Sequence, residues 1–229
     1  MSSFPGANYS AVLFDLDGTL VDTAPDMVAV LQSLQEEHGL DPVGYQEGRS
    51  YVSNGAAGLL RLGFPDRDDE AIETLRLAFL ERYADQLCVH SALFAGMETL
   101  VDRLDNDGLP WGVVTNKPQH LTDPLLVALG LNQRVACSVS GDTLPQRKPD
   151  PAPLHHACQL AALEAARTLY VGDSSRDIDA GRAAGMGTIA AAYGYIAPGD
   201  DSASWGADVI ANDTQELAQI VLKAVNLRT

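Results

Sequence analysis

Residues 11–20 read Ala-Val-Leu-Phe-Asp-Leu-Asp-Gly-Thr-Leu: a short apolar run that ends in two aspartates one residue apart. Side chains of a strand alternate between faces, so Asp15 and Asp17 are expected to point the same way at the rim of a sheet. Like charges that close cost free energy unless a cation lies between them or one keeps its proton. Three more polar sets follow apolar runs: Thr115-Asn116, Lys148-Pro149 in a loop, and Gly172-Asp173 with Asp177 four residues on. Oxygen donors with no His or Cys companions suit Mg²⁺ rather than zinc. A hydroxyl, an amide and an ammonium suit the oxygens of a phosphoryl group. One carboxylate can attack phosphorus covalently, and a second can carry a proton to the leaving group and then activate water.

These sets must be brought together by the elements that carry them. Val12–Phe14 reads as a buried strand. A helix follows, with Thr23 and Pro25 in its first turn, Met27, Val30, Leu31 and Leu34 on one face, and Gly39 as its stop. Residues 44–58 are Gly-rich and then helical, and residues 69–86 form another amphipathic helix through Ile72, Leu75, Phe79 and Tyr83. No strand pattern appears over about 22–90. Strands then alternate with helices: strands at 111–115, 135–139, 168–172, 187–192 and 208–210, and helices near 97–104, 125–129, 151–163, 175–185 and 213–225. That rhythm predicts an α/β fold, a Rossmann-like parallel sheet with helices on its faces. Ligands of such sheets bind beyond the carboxyl ends of the strands, where the polar sets lie. Residues 1–21 and 91–229 are therefore read as the α/β core, and 22–90 as a small all-helical cap inserted after the first strand.

Each polar set alone has an ordinary explanation. Asp-x-Asp can be a turn, Thr-Asn can end a strand, a loop lysine is normally solvated, and Gly-Asp can cap a helix. The four in this order, each after a strand, are hard to explain structurally.

With these motifs the chain resembles the haloacid dehalogenase-superfamily phosphatases. The resemblance implies that Asp15 is the nucleophile and forms a phosphoaspartyl intermediate. It makes Asp17 the acid/base, which also offers its backbone carbonyl to Mg²⁺. Thr115 and Asn116 would hold phosphoryl oxygens, Lys148 would balance charge, Asp15, Asp17 and Asp173 would bind the metal, and Asp177 would support it from behind. The segment Arg49-Ser50-Tyr51-Val52-Ser53-Asn54-Gly55-Ala56 is similar to the part of phosphoglycolate phosphatases that faces the active site, which makes Arg49 and Asn54 candidates for the substrate's non-phosphate end. Residues 79–97, 111–118, 193–196 and 205–208 resemble a subfamily that includes N-acetylmuramic acid 6-phosphate phosphatases of cell-wall recycling. Ser174 stands where some relatives carry a second acid, which leaves metal ligation resting more on Asp173. The expected substrate is a small carboxylate-bearing phosphate. A sugar phosphomutase using the same aspartates, or a non-catalytic ligand-binding module, are the alternatives; dehalogenation does not need Asp17 as a proton donor.

The 229 residues are 46% hydrophobic, enough for a full core. A net charge of -16 disfavours nucleic acid and anionic membranes as partners, and it means that an anionic substrate needs cations placed locally. Cys88, Cys137 and Cys158 are few and scattered, as in reduced proteins, and no leader or spanning segment is legible, so a cytoplasmic monomer or homodimer is expected. His155 and His156 are adjacent and so lie on different sides of a helix, which does not make a metal pair. Gly185-Met186-Gly187 precedes a strand and is no dinucleotide motif.

Overall fold

The computed structural model of the chain describes residue 4 and residues 8–227. Six parallel strands make one sheet in the order β5-β4-β1-β6-β7-β8. They are β1 (Ala11–Phe14), β4 (Trp111–Val114), β5 (Ser138–Val139), β6 (Thr168–Gly172), β7 (Gly187–Ala191) and β8 (Val209–Ala211). The strands β1, β4, β6 and β7 are buried along their whole length, as their continuous apolar runs require when both faces are covered. Alternation sorts β1 between two cores. Val12 and Phe14 join one cluster under α5 (Met97–Asn106), α6 (Gln119–Ala128) and α9 (Thr214–Ala224), and Leu13 joins the other, under α7 (Ala152–Ala161) and α8 (Ser175–Ala183).

The register positions the chemistry. Phe14 pairs with Val113 on one side and Val171 on the other. The residues that follow these strand ends, Asp15, Thr115 and Asp173, therefore meet at one edge of a parallel sheet. Strand β1 is also where the strand order reverses, the place where α/β sheets open a crevice for ligands.

Between β1 and β4 the chain builds a helical cap: α1 (Ala24–Glu37), α2 (Tyr45–Ser50), α3 (Gly55–Gly63) and α4 (Asp69–Asp85). Its apolar faces, including Val28, Leu31, Leu59, Leu60, Ile72 and Phe79, make a separate core that also takes in Leu121 and Tyr195 from the sheet side. Helix α4 starts where Asp68 accepts the Ala71 backbone N–H at 2.9 Å, with Asp69 and Glu70 in its positively polarised first turn.

Two features were not legible in the sequence. Where the chain leaves and re-enters the sheet domain, β2 (Val21–Asp22) pairs antiparallel with β3 (Ala92–Leu93). Strands of two residues are too short to show a period. Beside them Asp26, buried in α1, accepts hydrogen bonds from the backbone N–H groups of His90 and Ser91 and from the Ser91 hydroxyl, tying the two connections together. The strand expected over 135–139 is shorter, Ser138–Val139 only.

Candidate active site

Asp15 leaves the buried end of β1, and its Oδ1 lies 2.8 Å from Lys148 Nζ. This is an ionic contact rather than a directed hydrogen bond, because the three donors of Lys148 go elsewhere: to Asp177 Oδ1 at 2.7 Å, the Tyr170 hydroxyl at 2.8 Å and the Val114 carbonyl at 2.9 Å. Burial pushes the Asp15 carboxyl up to about 6; Lys148 opposes that rise, and Asp177 and Asp17 add to it. Burial also works against the charged form of Lys148, but Asp15 and Asp177 outweigh it and raise its pKa.

Asp17 does not share this partner. Its Oδ1 accepts from the Thr23 hydroxyl at 2.6 Å and from Lys117 Nζ at 3.0 Å. The repulsion expected between Asp15 and Asp17 is thus relieved by two lysines, one for each carboxylate. Thr23 does open α1, as expected, but its hydroxyl is used on Asp17 and makes no capping bond.

Asp173 is buried after β6 and held by two donors on Oδ2: the Tyr195 backbone N–H at 2.8 Å and the Ser53 hydroxyl at 2.6 Å. Burial, then Asp15 and Asp177, push its carboxyl up to about 8, moderated by those two donors. Carboxylate oxygens of Asp15, Asp173 and Asp177 lie within 4.8 Å of one another, all buried. The Oδ1 atoms of Asp15 and Asp173 have no hydrogen-bond partner among the described residues. Buried acceptors left so are costly, and an all-oxygen set of this kind fits a hard divalent cation. Two glycines make the room. A Cβ at Gly18, whose φ is +86°, would lie 2.0 Å from Asp173 Oδ2, and one at Gly194 would lie 2.3 Å from the Asp173 Cβ. Asp177 also accepts the Ser174 backbone N–H at 3.1 Å at the head of α8, so it fixes Lys148 and the helix start together.

Thr115 is buried, and its hydroxyl oxygen accepts the Lys117 N–H at 3.1 Å, leaving its proton to donate. The Asn116 side chain is placed differently from the expectation. Its Oδ1 accepts the Lys148 N–H at 3.1 Å and its Nδ2 donates to the Lys148 carbonyl at 3.0 Å, so both ends are used to join the two loops.

Asp15, Asp17, Thr115, Asn116 and Lys148 line a cavity of about 290 Å³ under the cap. Its cap wall includes Val52, Asn54, Phe79 and Leu80. Its cations are Arg76, Lys117, Arg147, Lys148 and Arg176, against Asp15 and Asp17. Five of a chain's 15 lysines and arginines thus surround one space in a protein of net charge -16, which meets the need for local cations.

Arg49 is not brought to this cavity. Its guanidinium donates to the carbonyls of Gly194 at 3.2 Å and Tyr193 at 3.3 Å and sits 4.8 Å from the Tyr195 ring centroid. It joins the cap to the loop after β7. The Tyr193–Tyr195 segment was singled out from sequence only by resemblance. Its physical tasks are to hold Asp173 through the Tyr195 N–H and to dock the cap, with the Tyr195 hydroxyl donating to Asp22 at 2.6 Å. Lys117 and Arg147 were missed because each sits beside a motif residue, Asn116 or Lys148, that already had an assignment.

Residues 12–191 match the family described as Haloacid dehalogenase-like hydrolase, and the chain belongs to that family. Among its relatives, an N-acetylmuramic acid 6-phosphate phosphatase of Pseudomonas putida is 44% identical over 216 residues, 94% of this chain and 97% of the relative. A phosphoglycolate phosphatase of Xanthomonas campestris is also 44% identical, over 207 residues, 90% of this chain and 94% of the relative. A crystal structure described as that of a predicted phosphoglycolate phosphatase from Haemophilus somnus superposes with a TM-score of 0.81 at 28% identity, covering 93% of this chain and 98% of that one. The chain is an enzyme of the phosphatase kind. No helix among the described residues is long and apolar enough to cross a membrane.

Proposed function

We propose that the chain is a Mg²⁺-dependent phosphomonoester hydrolase for a small phosphate that carries a second anionic group, with an N-acetylmuramic acid 6-phosphate-like sugar acid favoured over 2-phosphoglycolate. In this reading Asp15 attacks phosphorus, Asp17 handles the protons, and Lys148 and Thr115 face the phosphoryl oxygens. Asp15, Asp173 and the Asp17 backbone carbonyl would hold the metal, with Asp177 behind them. The bound cation would supply charge neutralisation between carboxylate and phosphate. Residues 22–90 act as the cap that selects the substrate, from a cytoplasmic pool.

The observation that carries this reading is the lining of the cavity. Two carboxylates are already matched by two lysines, Arg76 is paired with Glu73, and Arg176 donates to the Ser53 carbonyl, which leaves Arg147 as the cavity arginine whose side chain has no partner among the described residues. Arg147 and Arg176 form no ion pair among the described residues. Val52, Phe79, Leu80 and Leu121 add an apolar wall that a two-carbon acid has nothing to fill, whereas pockets near 300 Å³ take small ligands of sugar size. The relatives named above bear both substrates in their names, and both substrates carry a carboxylate.

Phosphate release from N-acetylmuramic acid 6-phosphate, 2-phosphoglycolate and p-nitrophenyl phosphate, each with and without chelator, tests the proposal. Activity that survives chelation, or no turnover of either carboxylate substrate, would sink it. Arg147→Ala should raise KM for the preferred carboxylate substrate by about 10- to 100-fold, the worth of one charged hydrogen bond, and change p-nitrophenyl phosphate far less. Arg49→Ala, a cap-docking change, should affect both substrates alike. The reverse pattern would return the recognition role to Arg49.

A further inference from the structure

The proposed reaction assigns Lys148 and leaves a second buried lysine without a task. Lys117 follows Asn116 in the turn after β4 and is 8% exposed. Its Nζ donates to Asp17 Oδ1 at 3.0 Å and to the Tyr83 hydroxyl at 3.1 Å, and it lies 4.5 Å from the Tyr83 ring centroid. Tyr83 belongs to α4 and is itself buried, so one ammonium touches the sheet rim and the cap at once. Burying a charge is unfavourable unless it is paired and hydrogen-bonded, and an apolar side chain of similar length would join cap to core without that cost. Thr23, at the head of α1, donates to the same Asp17 oxygen at 2.6 Å. Both donors take Oδ1, which leaves Oδ2 for a group in the cavity that Asp17 lines.

We infer that Lys117, anchored by Tyr83 of the seated cap, is a positioning residue that clamps Asp17 for the second half of the reaction, hydrolysis of the phosphoenzyme. The inference rests on the proposed roles of Asp15 and Asp17. In that half a water O–H bond breaks and its proton passes to Asp17 Oδ2. The water oxygen bonds to phosphorus, and the bond from phosphorus to the Asp15 oxygen breaks, returning its electron pair to Asp15. The ammonium stands behind the carboxylate that receives the proton and holds it in one orientation.

p-Nitrophenyl phosphate is the probe, because its leaving group departs with little help from an acid and so isolates the second half. Lys117→Met should lower kcat about 30-fold, within the range of positioned proton transfer, while kcat/KM, which reports the steps up to leaving-group departure, stays within about threefold. Acid-quenched samples should hold a larger fraction of phosphoenzyme than the unsubstituted protein. Lys117→Arg should recover most of kcat. Tyr83→Phe keeps the ion pair but loses the anchor, and should move kcat the same way by a smaller factor; it carries the comparison if Lys117→Met does not fold. A fall of kcat and kcat/KM by the same factor without phosphoenzyme accumulation, or no change in either, overturns the inference. Asp17→Asn separates the two levels. If it accumulates phosphoenzyme while the Lys117 and Tyr83 variants do not, only the inference fails. If it does not, the role of Asp17 itself fails and the inference with it.

Discussion

Asp15→Asn is expected to abolish turnover, by about 10⁴-fold or more, and to leave no phosphoenzyme in acid-quenched samples. The amide has nearly the same shape, so the fold has no reason to change. Asp15 sits at the end of a strand whose other residues are buried and paired on both sides. The cost to stability is small for the same reason that the effect on activity is large. Lys148 keeps its three directed hydrogen bonds, to Asp177, Tyr170 and Val114, because none of them is made to Asp15. The amide oxygen can stay facing Lys148 Nζ, so the variant loses the carboxylate's charge but no hydrogen bond that Asp15 Oδ1 makes among the described residues. A thermal unfolding midpoint within a few degrees of the unsubstituted protein should therefore accompany the loss of activity. Substantial residual turnover in that well-folded variant would remove Asp15 as the nucleophile.

The contrast between what the sequence announced and what it hid follows from the physics of each signal. The parallel sheet was legible because both faces of β1, β4, β6 and β7 are covered, which writes unbroken apolar runs into the chain. The strand ends were legible for the same reason: Asp15, Thr115 and Asp173 are the first polar residues after such runs. The cap helices showed through their 3.6-residue period, in α1 and α4 above all. Partner choice was not legible. No rule of spacing says that Asp15 takes Lys148 while Asp17 takes Lys117, since the partners are 133 and 100 residues away and are paired only by the sheet order. Arg49 shows the same limit from the other side. The sequence placed it in a segment that faces the site, and Ser53 and Asn54 of that segment do line the cavity. Arg49 itself is turned to the backbone of Tyr193 and Gly194 by a loop whose position depends on β7.

The aspartate after β6 separates stability from function most cleanly. Without a cation, Asp173 has its carboxyl pushed up to about 8 by burial and by Asp15 and Asp177, from an ordinary value of 3.8. Between those two values the folded chain holds a proton that the unfolded chain has released, so this group's contribution to stability falls as pH rises and is lost through about pH 8. Asp173→Asn has no such proton to lose. Its amide oxygen can still accept from the Tyr195 N–H and the Ser53 hydroxyl, which both use Oδ2 in the aspartate. The metal-free variant should therefore unfold at a higher temperature than the unsubstituted protein at about pH 8.5, with the difference shrinking toward about pH 5. Mg²⁺ should reverse the order. A divalent ion binds the deprotonated carboxylate, so it should raise the unfolding midpoint of the unsubstituted protein, and do so more strongly as the pH increases. The variant should gain little from Mg²⁺ and lose roughly a thousandfold or more in turnover, as expected when charge stabilisation by a metal is removed. An equal rise of both midpoints with Mg²⁺ would take Asp173 out of the metal site. A variant less stable than the unsubstituted protein at about pH 8.5 without metal would show that Asp173 is paired there more favourably than its buried neighbours Asp15 and Asp177 allow.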